Sequence, residues 1–301
     1  MNFISAINFI KNPYYSLEAF LRHTSKFIPN DKLFIQLQYF ARTHEKLNLI
    51  CPTSFNEKLQ WLKLYDRKPI YTKMVDKIAA KEYVKEILGE DKCVPTIALW
   101  NKPNEIDFSK LPKQYVIKWN HNSGIGMFIC KDNNRINKNE VIKEISKGMN
   151  NNYFYICREW PYKKIKKRLF AEKYLGDNLK DYRFYCFNGE PKLIYVYSNE
   201  SNSQGSKPEP SHCDIFDLNW NPVNYHQKSK PIGGITKPAH LKEMIEYAKK
   251  LSSNIPFIRV DFYDEGSLYI GELTLYPGGG TAPFVPNEWN YKLGEWLHLP
   301  S

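Results

Sequence analysis

Between Ile258 and Gly280 the chain reads Ile-Arg-Val-Asp-Phe-Tyr, a turn at Asp264–Gly266, Leu-Tyr-Ile-Gly-Glu-Leu-Thr from Leu268, and then Tyr276-Pro-Gly-Gly-Gly. Two apolar runs around a tight turn predict an antiparallel strand pair. Alternation then puts Arg259 with Asp261, and Glu272 with Thr274, each pair on one face. One pairing register brings both carboxylates to the same face. Two hard oxygen donors with a hydroxyl nearby suit Mg²⁺, which combines carboxylates with phosphate oxygens. Arg259 beside them can neutralise an oxyanion. The same spacing also fits a surface hairpin whose charges form exposed ion pairs of little consequence. The glycines that follow add backbone freedom where amides can approach an anion.

A chain of 301 residues, 42% hydrophobic and 25% charged, is long enough for one large domain or two joined lobes. Its 43 Lys and Arg against 32 Asp and Glu give a net charge of +11, which favours anionic ligands such as nucleotides, phosphosugars, acidic polysaccharides or nucleic acid without choosing among them. The six cysteines contain no CxxC pair, which argues against a structural zinc site and a disulfide framework and fits a cytoplasmic location. Met1–Ile10 lacks the basic start and cleavage site of a signal peptide. No apolar run approaches the about 18 residues of a membrane span. Peripheral contact with the inner face of the membrane is one reading of the first segment, through Phe3, Ile7, Ile10, Phe20 and Leu21 with Lys11, Arg22 and Lys26. Packing of that segment on its own domain is the other.

Leu17–Lys63 suggests helices, with Ser54 and Glu57 spaced as a capping box. Met74–Leu88 has helical periodicity, Asp76 and Lys77 near its start and Gly89 as its stop. After Pro95 the texture changes to strands at Thr96–Trp100, Tyr115–Trp119 and Met127–Cys130, then a helix at Lys138–Met149 and a strand at Arg168–Leu175. Asp181–Phe187, Lys192–Ser198 and Ser211–Leu218 predict an antiparallel sheet, with a turn at Asn188-Gly189 and a mobile loop over Asn199–Pro210. Leu241–Leu251 predicts one more helix before the strand pair. The class is α+β with two sheet-bearing lobes.

Two further constellations carry possible chemistry. Lys118 ends a strand and is followed by Asn-His-Asn-Ser-Gly-Ile-Gly, so one ammonium and several amides can hold phosphates. No Gly-Lys-Ser/Thr follows, so this is no P-loop, and a hairpin turn with a solvated lysine fits equally. His121 in that loop is either a base or a hydrogen-bonded loop residue. Leu169–Leu175 could connect two lobes and recognise an adenine ring, or simply leave its sheet. The basic run Lys163–Arg168 reads as a solvated face.

In this order, Asp76-Lys77, Val116-Ile117-Lys118, Asn122–Gly126, Ala171-Glu172-Lys173-Tyr174-Leu175, Asp181-Tyr182-Arg183, Arg259-Val260-Asp261 and Glu272-Leu273-Thr274 resemble the ATP-grasp superfamily. Ser54–Lys58, Trp61, Cys157-Arg158-Glu159-Trp160 and Glu288–Gly294 narrow the resemblance to its TupA-like branch, from about Ser54 to Pro300. That branch is associated with bacterial surface polysaccharides, teichuronopeptide synthesis among them. The resemblance implies an ATP-grasp fold of two α+β lobes, a helical lead-in over 1–73, a first lobe over 74–175 and a second over 176–301. It implies ATP and Mg²⁺ as cofactors, with Lys77, Lys118, Arg183, Ser123, Gly124 and Gly126 on phosphates. Glu172, Lys173 and Leu175 would meet adenine. Asp261, Glu272 and Thr274 would hold metal, while Arg259 and Lys118 act in catalysis. Thr274 stands where many ATP-grasp ligases carry Asn, which leaves one of two Mg²⁺ ions less well held.

The implied activity is carboxylate–amine ligation through an acyl phosphate. The substrates would be a small-molecule or lipid-linked glycan precursor, bearing a uronic-acid or amino-acid unit, and an amine or amino acid. No nucleic-acid partner is expected. A glycosyltransferase using a nucleotide sugar is the rival enzyme reading, and a basic polyanion binder the non-enzymatic one.

Overall fold

The computed structural model describes residues 12–177, 179–198 and 212–300. Phe3, Ile7, Ile10 and Lys11 of the suggested membrane-facing segment, and the loop Asn199–Pro210, lie outside the described residues.

The chain opens with helices α1 (Pro13–Thr24), α2 (Asp31–Thr43) and α3 (Phe55–Tyr65). The capping box at α3 forms: Ser54 Oγ accepts from Glu57 N at 3.3 Å, and Glu57 Oε2 accepts from Ser54 N at 3.0 Å. The helix predicted over Met74–Leu88 is two helices, α4 (Ile70–Val75) and α5 (Ala79–Leu88). Asp76 separates them. Its backbone is extended, and Oδ1 accepts from Ile78 N at 2.9 Å and Ala79 N at 3.3 Å, which ends one helix and starts the next. Gly89 ends α5 in the left-handed conformation, as its position predicts.

A small antiparallel sheet follows, in the order β1-β4-β2-β3: β1 (Thr96–Trp100), β2 (Tyr115–Trp119), β3 (Phe128–Cys130) and β4 (Leu169–Lys173). Helix α6 (Lys138–Ser146) covers one face with Val141 and Ile145, which share a core with Tyr115, Ile117, Trp119, Leu169 and Ala171. Alternation turns Lys118, Phe170 and Glu172 to the other face. A short helix α7 (Tyr153–Cys157) lies between α6 and β4.

The large sheet runs β7-β6-β5-β8-β9, antiparallel throughout, from β5 (Asp181–Phe187), β6 (Glu190–Ser198), β7 (His212–Phe216), β8 (Phe257–Asp264) and β9 (Leu268–Thr274). The hairpin predicted at Asn188-Gly189 joins β5 to β6, with both residues at positive φ. Ile258, Val260 and Phe262 are fully buried, in one core with Met244, Ala248 and Leu251 of α8 (Leu241–Ser252). Burying one such side chain contributes about 1.5–3 kcal/mol, so each of these residues matters to stability. Phe55 of α3 covers the opposite face against Phe257 and Phe187. Tyr83 and Val84 of α5 belong to this same core, although they precede the small sheet in sequence. Helix α9 (Glu288–Trp296) packs beside α3.

Candidate active site

The inward face of β8 carries Arg259 and Asp261, and its neighbours supply their partners. Arg259 lies opposite Thr274 of β9 and Tyr185 of β5, and Asp261 lies opposite Glu272 and Arg183. The register that unites the two carboxylates is therefore the one adopted. A bulge at Gly271 allows it: Asp261 pairs with Glu272, yet the next residue, Phe262, pairs with Ile270. A Cβ on Gly271 would stand 2.5 Å from the Tyr263 ring, so a larger residue at this extra position must displace that ring.

Arg259 grips Asp261 with Nε at 2.7 Å and a terminal nitrogen at 2.5 Å, and lies 3.5 Å from Glu272. Lys77, delivered by the break between α4 and α5, pairs with Glu272. Arg183 bonds Asp181 Oδ2 at 2.8 and 2.9 Å and stands 3.8 Å from Asp261. The result is an alternating array of cations and carboxylates. Burial pushes the Asp261 carboxyl up to about 7 against the pull of Arg259. Burial also opposes ionisation of Glu272, but Lys77 and Arg259 outweigh it and hold that group down to about 2.

On the small sheet, Glu172 is almost fully buried between Lys118 at 2.5 Å and Lys81 at 2.7 Å. The loop after β2 is pinned at both ends. Asn120 bonds the backbone at Lys166 and Arg168, and its own carbonyl receives Lys77 N at 3.0 Å. Asn122 donates to the carbonyls of Ile125 at 3.1 Å and Gly148 at 2.8 Å. Gly126 packs against Gly148, where a Cβ would come within 2.7 Å of the backbone. Ser123, Gly124 and Ile125 are left exposed between these anchors.

The two sheets enclose a cleft of about 1720 Å³, lined by Lys77, Lys118, Ser123, Gly124, Glu172 and Lys173, with Leu175, Arg183, Arg259 and Glu272 completing it. Asp261 stands behind the wall, 1% exposed, and Gly126 is buried beneath its loop. The Thr274 hydroxyl is buried with no hydrogen-bond partner. His121 is buried beside Trp119, outside the cleft lining, and burial lowers it to about 4. Two residues of the site stand outside the sequence expectations: Lys81, in the first turn of α5, whose partner Glu172 is far away in the chain, and Asp181, two residues before Arg183 on one strand face, a spacing that was readable.

A family model described as TupA-like ATPgrasp matches residues 57–298. Among solved structures, D-alanine–D-alanine ligase from Helicobacter pylori is similar at 18% identity over 82% of this chain and 70% of that one, with a TM-score of 0.43. D-alanine–D-alanine ligase from Bacillus anthracis is similar at 18% identity, 74% of this chain and 60% of that one, TM-score 0.39. N5-carboxyaminoimidazole synthetase from Staphylococcus aureus follows at 17% identity, 67% of this chain and 44% of that one, TM-score 0.37. The chain thus spans less than two thirds of the length of the second and third of these. No curated protein matches the chain. The matched span takes in both sheets, the paired carboxylates and the cation-lined wall opposite them, and on that match the chain belongs to the TupA-like ATP-grasp family.

Proposed function

We propose that the chain is an ATP-dependent carboxylate–amine ligase that joins an amine to a uronic-acid or amino-acid unit of a bacterial surface-polysaccharide precursor. Membership of the ATP-grasp family makes it an ATP-dependent enzyme with ATP and Mg²⁺ as cofactors. The observation that carries the ligase reading is the opposition of Asp261 and Glu272 beside Arg259, on a cleft that Lys77 and Lys118 also line.

The residues present fit Mg²⁺. Among the described residues no three His, Cys, Asp or Glu side chains cluster as a complete metal cage. Two carboxylates suit Mg²⁺, which keeps waters and takes phosphate oxygens for the rest of its shell. The partnerless Thr274 hydroxyl, two residues from Glu272 on the same strand, offers a further neutral oxygen. Asp261 and Glu272 would hold the ion, and Mg·ATP supplies the γ-phosphoryl group that activates the acceptor carboxylate.

The chain's own groups do the rest by position and charge. Lys77, Lys118 and Arg183 would hold phosphate oxygens, with Ser123 and Gly124 closing over them from the pinned loop. Glu172 keeps Lys118 aimed into the cleft, while Lys173 and Leu175 border the adenine end. Arg259 would neutralise the negative charge that develops on the acyl oxygen. The carboxylate takes the γ-phosphoryl group as ADP departs. An amine then attacks the acyl carbon, phosphate leaves with its bonding electrons, and the amine loses a proton. No covalent protein intermediate is required.

Hydroxylamine trapping with uronates and amino acids tests this. ATP-dependent hydroxamate together with ADP is the expected outcome, abolished in Glu272→Gln. Sugar transfer from a nucleotide sugar with no ATP turnover would overturn the ligase reading.

A further inference from the structure

The cleft extends well past the phosphate end, and its far wall comes from residues that precede the matched family span. Tyr14, Tyr15 and Glu18 of α1, with Tyr39, Arg42 and His44 at the end of α2, line the same cavity as Arg259 and Glu272. Thr281, Phe284 and Asn290 complete that end from the segment after β9.

This wall is tied to α7 and to the turn after β9. Arg42 bonds Glu18 Oε1 at 3.0 Å, Thr281 Oγ1 at 3.4 Å and Cys157 Sγ at 3.6 Å, so it ties both helices to the glycine turn after β9. Gln38 Nε2 donates to the Ile156 carbonyl at 2.7 Å. Arg158, itself 1% exposed, donates to the carbonyls of Ser25 and Ile28 at 2.7 Å each. The face turned to the cleft is aromatic. Tyr14 stacks on His44 with centroids 4.0 Å apart and planes at 28°, braced edge-on by Phe40, while Tyr15 stands 45% exposed.

Arg22 and Arg42 both turn to Glu18, at 3.9 and 2.9 Å, so one carboxylate takes up both guanidinium groups of this wall. A flat aromatic face bordered by hydrogen-bonding side chains favours a ring with apolar C–H faces and hydroxyls around its edge. We propose that the α1–α2 wall is the acceptor subsite, and that it seats a sugar ring on Tyr14 and Tyr15. The acceptor carboxylate is then that of a uronide, directed toward Arg259. This deepens the ligase reading and rests on it.

Saturation-transfer NMR on the full chain with methyl β-D-glucuronide and methyl β-D-galacturonide, D-alanine as comparison, and ADP with Mg²⁺ as reporter of the nucleotide end tests the assignment. Ring-proton saturation from at least one uronide is expected. It should weaken at least fivefold in Tyr15→Ala and in Tyr14→Ala, with ADP affinity unchanged within twofold. Tyr15 is half exposed, so its replacement leaves folding intact, and Tyr15→Phe should retain the signal. Silence from both uronides, or signals that survive both alanine variants, overturns the subsite. Uronide binding without any ADP binding would sink the ligase proposal and leave the subsite standing.

Discussion

Glu172→Gln keeps the shape of a buried side chain and removes its charge. In the native chain the Glu172 carboxylate is 7% exposed and is shared by Lys118 at 2.5 Å and Lys81 at 2.7 Å. A glutamine amide can accept from one ammonium but turns its own donors toward the other. Removing one partner of a buried ion pair costs about 3–5 kcal/mol. With about 2 °C of melting temperature per kcal/mol for a chain of this size, the loss is about 6–10 °C. Circular dichroism melting at pH 7 measures it, and ADP titration measures the nucleotide end, where Lys118 loses its anchor and affinity should fall about tenfold. Adding Lys118→Met to Glu172→Gln should recover part of the loss, because the second change removes a cation the first left unpaired. A melting shift under 2 °C, or strictly additive single changes, would refute the view that this cluster is a tightly coupled ion network.

Three further outcomes follow from the same geometry. Lys63→Met should destabilise by about 3 kcal/mol or more in urea unfolding, since Lys63 is fully buried and donates to Gln60 Oε1, the Cys157 carbonyl and the Gly279 carbonyl at 3.0, 2.9 and 2.7 Å. Gly271→Ala should displace Tyr263 and cost about 1–3 kcal/mol, and it should weaken Mg²⁺-dependent ADP binding, because the bulge sets the position of Glu272. Stability should fall in acid. Glu172 and Glu272 both titrate below the usual carboxylate range, the latter at about 2. Their contribution is therefore complete above the unfolded pKa of about 4.3 and is lost as pH drops toward 2. Melting curves from pH 6 to pH 2.5 check this, and the slope should flatten in Glu172→Gln.

Most strands were readable because each is a short apolar run bounded by Gly, Pro or Asn, and because alternation alone placed Arg259 with Asp261. The bulge at Gly271 was not readable: one glycine in a strand does not say that the register will slip beside it, and the slip depends on the Tyr263 ring across the ladder. The break at Asp76 was hidden for a related reason. Apolar periodicity continues through it, since Met74, Val75, Tyr83 and Val84 all reach one core from two separate helices. Lys81 and the α1–α2 wall escaped notice because their partners are distant in sequence, and only the folded chain shows that Lys81 meets Glu172 or that Tyr14 faces the cleft.

Helix α5 holds its apolar residues in the large-sheet core while Lys81 reaches out to a carboxylate on the small sheet. Any separation of the two sheets must therefore stretch or break that contact. The helix behaves as a tether of fixed length, and its tension is set by electrostatics. The contact is nearly buried, so added salt screens it little, and removing the Lys81 ammonium is what releases it. Cleft opening, and with it the rate at which product escapes, should then quicken when Lys81 is replaced by methionine and change little with added salt in the native chain.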